Sequence, residues 1–130
     1  MKNQKTIFDI SGVNGHAGWV VEGDVVKSDD RYNVIDNTML NNLILSSTEL
    51  HPNKSTSGHS HAGQEEVYFF MTGSGKMELD DNTFDVSAGD IVQIPDGAFH
   101  RVHSGPEGCY FVCVFDGQRH EKNNAVYEGC

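Results

Sequence analysis

No apolar run in this 130-residue chain approaches the length of a membrane span. The opening Met1-Lys2-Asn3-Gln4-Lys5 leads into no signal-peptide core. A soluble, cytoplasmic protein with no membrane partner is the expectation. Basic residues are scarce. Nine Lys and Arg stand against 19 Asp and Glu, a formal charge of −10. That deficit argues against a nucleic-acid partner, which needs a basic footprint. It also weighs against an anionic substrate such as a sugar phosphate. Lys54, Lys76 and Arg101 form no visible cluster, and Arg31 and Arg119 lie far from them in sequence. Cysteine is rare, with three in the chain. Cys109 and Cys113 share a face of one strand-like run but sit too far apart along it to bridge. With Cys130 at the terminus, three reduced thiols are expected. Linkers, repeats, low-complexity tracts and amphipathic helix patterns are all missing. The length suits one domain, residues 1–130, large enough to bury a core.

What is present is a series of short strand-like runs with turn signals between them. The runs are Ile7 to Ile10, Trp19 to Glu22, Val25 to Lys27, Met39 to Ser47 and Val67 to Met71. Lys76 to Leu79, Thr83 to Val86, Ile91 to Ile94, His100 to His103 and Cys109 to Phe115 follow. Gly23-Asp24, Thr72-Gly73-Ser74-Gly75 and Asp80-Asp81-Asn82 read as turns. Eight to ten short strands predict an all-β fold, antiparallel and closed into a barrel or sandwich. The tail from Asp116 to Cys130 is polar, and its role is open.

Four residues stand out against this background: His59, His61, Glu66 and His100. Side chains two apart on an extended strand share a face, so His59 and His61 project together. Glu66 follows the turn Ala62-Gly63-Gln64 and opens the next run, so it can swing back towards them. His100 arrives from elsewhere in the sheet. Three imidazoles and a carboxylate suit one divalent transition metal ion, Fe, Mn, Zn, Ni or Cu.

The segments holding these residues resemble the two motifs of the cupin superfamily. Asn53 to Gly73 is similar to G-x5-H-x-H-x3or4-E-x6-G, and Gly89 to Ser104 to G-x5-P-x-G-x2-H-x3-N. Motif spacing selects Glu66 over Glu65, because six residues separate Glu66 from Gly73. The motif core therefore covers residues 53–104. The resemblance implies a jelly-roll β-barrel and a metal site of His59, His61, Glu66 and His100. It departs at Asn53, which replaces the opening Gly, and at Ser104, which replaces the closing Asn. Asn tolerates a left-handed backbone, so the turn at Asn53 can survive. Ser104 is not a ligand position.

The neighbours divide by face. Tyr68 and Phe70 share the Glu66 face. Phe70 reads as filler, and Tyr68 is a candidate acid or base beside the metal. Glu65 should face solvent. Arg101 and His103 should point away from His100, to solvent or an interface. The face of Gln93 is open, Phe99 reads as packing or a lid, and His16, His51 and His120 read as surface. Fold resemblance does not name a reaction. The leading expectation is a metal-dependent isomerase, epimerase or lyase. It would act on a small hydroxy-carbonyl or sugar-like substrate, with Glu66 or Tyr68 moving a proton. The alternatives are an Fe(II)-dependent dioxygenase and a non-catalytic metal-dependent binding module. Apolar strands at both chain ends and a sheet edge needing cover suggest a homodimer.

Overall fold

The structure, a computed structural model, describes residues 21–116. Seven strands lie among them: β1 (Asp24–Ser28), β2 (Tyr32–Asn37), β3 (Leu43–Leu50), β4 (Glu66–Leu79), β5 (Asn82–Ser87), β6 (Ile91–Ile94) and β7 (His100–Asp116). All pair antiparallel in one sheet of order β1-β2-β3-β7-β4-β5, with β6 added against β4. The all-β antiparallel expectation holds. The runs expected at Ile7 to Ile10 and Trp19, and the tail beyond Asp116, lie outside the described residues.

The closed jelly-roll barrel does not hold. β1 and β5 end the strand order, and no ladder joins them among the described residues. Among the described residues β1 pairs only with β2, and it is exposed at most of its positions, Val25 at 63%. A period-2 pattern reveals which face of a strand is buried. It does not reveal whether two edge strands meet.

β4 and β7 carry the architecture. Each was expected as two runs split by a Gly-containing turn, and each is one strand, of 14 and 17 residues. The glycines bend the strands without ending them. The β4–β7 ladder shifts register between Phe70 and Thr72 and again between Gly73 and Gly75. Gly73 has φ +76, and a Cβ there would come within 2.1 Å of the Gly108 carbonyl oxygen. Only glycine permits this close crossing, which is how a bulge sharpens a strand's bend. Asn53 also has a positive φ, 58°, so the turn survives without its motif glycine. Ser104 takes up the neighbouring role. Its hydroxyl donates to the His51 carbonyl at 2.5 Å and accepts the Lys54 N–H at 3.1 Å, stapling that turn.

The inner face carries one apolar cluster fed by every strand except β1, including Tyr32, Leu50, Phe70, Met77, Val86, Ile94, Phe111 and Phe115. Each such side chain contributes about 1.5–3 kcal/mol by leaving water. A smaller cluster, Val21, Met71, Tyr110 and Val112, lies on the outer face. Cys109 is a free thiol whose pKa burial pushes up to about 12, so it stays neutral and inert. Cys113 is disulfide-bonded, which corrects the expectation of three reduced thiols.

Candidate metal centre

The two motif loops are stitched together by backbone. His59 and His100 face each other across an isolated antiparallel bridge. The His59 N–H donates to the His100 carbonyl at 3.1 Å, and the His100 N–H donates back at 3.0 Å. Gly97 N–H reaches the His61 carbonyl at 3.1 Å. The Gly63 N–H donates to Oδ1 of Asp96 at 2.6 Å. Ligands from two distant segments are thus set by main-chain bonds that do not depend on the imidazoles.

The rings converge. Centroids lie 4.3 Å apart for His59 and His61, 4.5 Å for His59 and His100, and 6.1 Å for His61 and His100. One ligand atom from each of the three falls within 4.8 Å of the others, a spacing that suits a single ion. Glu66 is 3% exposed and Glu65 is exposed. Oε2 of Glu66 lies 2.9 Å from Nε2 of His100.

The chemistry of that last contact tests the fit of a metal. Nδ1 of His100 lies 3.1 Å from the Ala98 carbonyl oxygen, which can only accept. Nδ1 therefore carries the proton, and Nε2 presents a lone pair. That lone pair meets a carboxylate oxygen without hydrogen-bond geometry, and both Glu66 oxygens and the His100 Nε2 are buried with no hydrogen bond. Burying a carboxylate unpartnered costs several kcal/mol. A cation among these atoms removes the cost for all of them, and the residues fit a divalent metal.

Tyr68 is 2% exposed, stacked on Phe111 at 5.0 Å and edge-on to His100 at 5.7 Å. Burial, and then the nearby Glu66 charge, push its phenol well above the usual tyrosine pKa. It holds its proton and can donate a hydrogen bond. Gln93 is exposed and does not reach the interior. Phe99 packs its ring against Gly58, where a Cβ would approach to 2.8 Å. His51 bonds the β1–β2 turn through Asp30, and His16 and His120 lie outside the described residues.

Two residues near the site escaped the sequence reading. Gln64, in the Ala62-Gly63-Gln64 turn, is 3% exposed. Asp96, inside the second motif's Pro-Asp-Gly turn, clamps the loop carrying His61 through the Gly63 N–H. Asx side chains at turns regularly bond nearby backbone, and that was the available signal. Asp96→Ala should weaken metal binding about tenfold, the low end of what supporting partners contribute. Competition against a chelator measures it, and an unchanged affinity would show the clamp to be idle.

A profile of the cupin domain family matches residues 46–115. The chain belongs to the cupin family. With its His59, His61 and His100 cluster it is a metal-binding cupin. Solved structures of similar fold include KdgF from a Halomonas species, with TM-score 0.67 and 14% identity, over 76% of this chain and 90% of that one. Oxalate decarboxylase of Bacillus subtilis superposes with TM-score 0.64 at 23% identity, over 69% of this chain. This cupin spans 26% of that enzyme's length. An uncharacterized protein of Methanocaldococcus jannaschii, MJ1618, is 37% identical over 46 residues, 35% of this chain and 37% of that protein. These likenesses to solved structures speak to the fold. No helix among the described residues is long and apolar enough to cross a membrane.

Proposed function

We propose that this cupin is a metal-dependent enzyme of the isomerase, epimerase or lyase type, acting on a small hydroxy-carbonyl or sugar-like compound. The carrying observation is the buried confrontation of Glu66 with His100 beside two further imidazoles. In this reading His59, His61, Glu66 and His100 hold one divalent ion. The ion, when bound, supplies Lewis acidity to a carbonyl or hydroxyl oxygen. Four protein ligands would leave room on such an ion for the two oxygens of a hydroxy-carbonyl.

The chain's own groups do the rest. Glu66, with two oxygens and one needed for the metal, can take a proton from the carbon beside the carbonyl. Tyr68, held neutral, donates to substrate oxygen and steadies the charge that develops there. Arg31, Lys54 and Lys76 each lie beside a carboxylate, which weighs towards a substrate without phosphate. The Mn(II) centres named for Bacillus subtilis oxalate decarboxylase make manganese a sensible first metal to try. A second copy of the chain is part of the reading. The outer sheet face exposes Val67, Val114 and Ile91, and sedimentation showing only monomer would speak against it.

The test is isotope exchange. Protein loaded with Mn(II) is incubated in deuterated water with a panel of hydroxy-carbonyl compounds. Deuterium should enter beside the carbonyl of at least one. Tyr68→Phe should slow that exchange about a hundredfold with metal content unchanged. Oxygen uptake matched to substrate loss, with no exchange, would replace this reading by the dioxygenase one.

A further inference from the structure

On the outward side of β7, away from the metal ligands, three side chains form one continuous hydrogen-bonded line. The Ser55 hydroxyl lies 2.6 Å from Nδ1 of His103. Nε2 of the same ring lies 2.5 Å from Oε2 of Glu78. An ionised carboxylate only accepts, so Nε2 carries the proton and donates to Glu78. Nδ1 is then the basic nitrogen, and it accepts the Ser55 O–H.

The backbone holds this line in place. Ser55 sits opposite His103 in an isolated antiparallel bridge. On either side, Thr56 N–H donates to the Val102 carbonyl at 2.9 Å and Ser104 N–H to the Lys54 carbonyl at 2.8 Å. Glu78 comes from β4 on the other flank, where Lys76 pairs with His103 and Glu78 with Arg101. Alternation puts Glu78 and His103 on one face, diagonal to each other and within reach. The side chains of His103 and Glu78 are 35% and 33% exposed. They are sheltered enough to keep their geometry and open enough to meet a small molecule. Arg101 adds a charge. Its Nε donates to the Thr56 carbonyl at 2.9 Å, which holds the guanidinium beside the residue following Ser55.

A hydroxyl on a histidine that is itself oriented by a carboxylate is the general arrangement of an activated nucleophile. We propose that Ser55, His103 and Glu78 form a second, metal-independent reactive centre that accepts the acyl group of small carboxylic esters. In the first step Ser55 Oγ bonds to the ester carbonyl carbon and its proton passes to Nδ1 of His103. Glu78 stabilises the imidazolium, and the Arg101 guanidinium faces the oxyanion. The C–O bond to the alcohol then breaks, and the alcohol leaves with the proton from Nδ1. In the second step water attacks the Ser55 ester with the same base. Ser55 is regenerated and the acid released, with no oxidant or further reactant.

The test uses the full chain, once stripped of metal by a chelator and once reloaded. Each form is treated with a fluorophosphonate probe and with p-nitrophenyl acetate. Peptide mass spectrometry should find one adduct, on Ser55, in both metal states. Ser55→Ala should abolish it. His103→Gln should slow labelling and ester cleavage about a hundredfold, the low end for loss of a general base. Glu78→Gln should slow both by about tenfold or more. Circular dichroism checks each variant. Should Ser55→Ala unfold, His103→Gln decides, since it keeps the hydroxyl. Absence of a Ser55 adduct on the wild-type chain overturns the proposal. So does a labelling rate equal to the wild type's in both the His103→Gln and Glu78→Gln variants, which would leave the line as a tie between strands.

Discussion

His100→Ala is expected to lose most of its metal and keep its strands. The residue is the second motif's only proposed ligand, and its imidazole faces both the other histidines and Glu66. Losing a direct ligand should weaken binding more than the roughly 10–100-fold typical of a supporting partner. The bridge to His59 is made by main-chain N–H and carbonyl groups, which alanine retains. The apolar cluster loses a ring edge against Tyr68 and little else. Metal analysis together with circular dichroism checks both halves. Full occupancy, or loss of strand signal at ambient temperature, would contradict the expectation.

The second large effect separates two adjacent carboxylates. Glu66→Gln should lower metal affinity by at least about tenfold, because an amide oxygen is a neutral and poorer ligand than a carboxylate. Glu65→Gln should leave it unchanged, because that side chain is exposed while Glu66 is buried against His100. Titration of both variants with one metal makes the comparison. If Glu65 is the sensitive member, the register of the first motif is off by one. The face assigned to Tyr68 would then fall with it.

The site was more legible than the sheet, for physical reasons. His59, His61 and His100 were readable because a metal constrains both the type and the spacing of its ligands. The Asn53 turn was readable because few residues accept its left-handed backbone, and φ there is 58°. β6 was read to its observed bounds, since Ile91–Ile94 is a short apolar run between turn residues. β2 was missed. Its inward positions are Tyr32, Val34 and Asp36, and the buried Asp36, bonded by the Ser46 hydroxyl, hides the alternation. β4 and β7 were cut in two because glycine signals a turn and a bulge equally well. Closure was out of reach, because it depends on whether β1 and β5 meet and nothing local encodes that. The Ser55, His103 and Glu78 line joins residues 25 to 48 apart in sequence through sheet register alone. No short pattern marks it.

The central claim is that His59, His61, Glu66 and His100 hold one ion. X-ray absorption on the full chain reconstituted with Zn(II) or Mn(II), alongside metal quantification, tests it most directly. One ion per chain is expected, with three imidazole nitrogens and a carboxylate oxygen in its inner sphere at about 2.0–2.3 Å. Substoichiometric metal, or an inner sphere with fewer than three imidazoles, would contradict it.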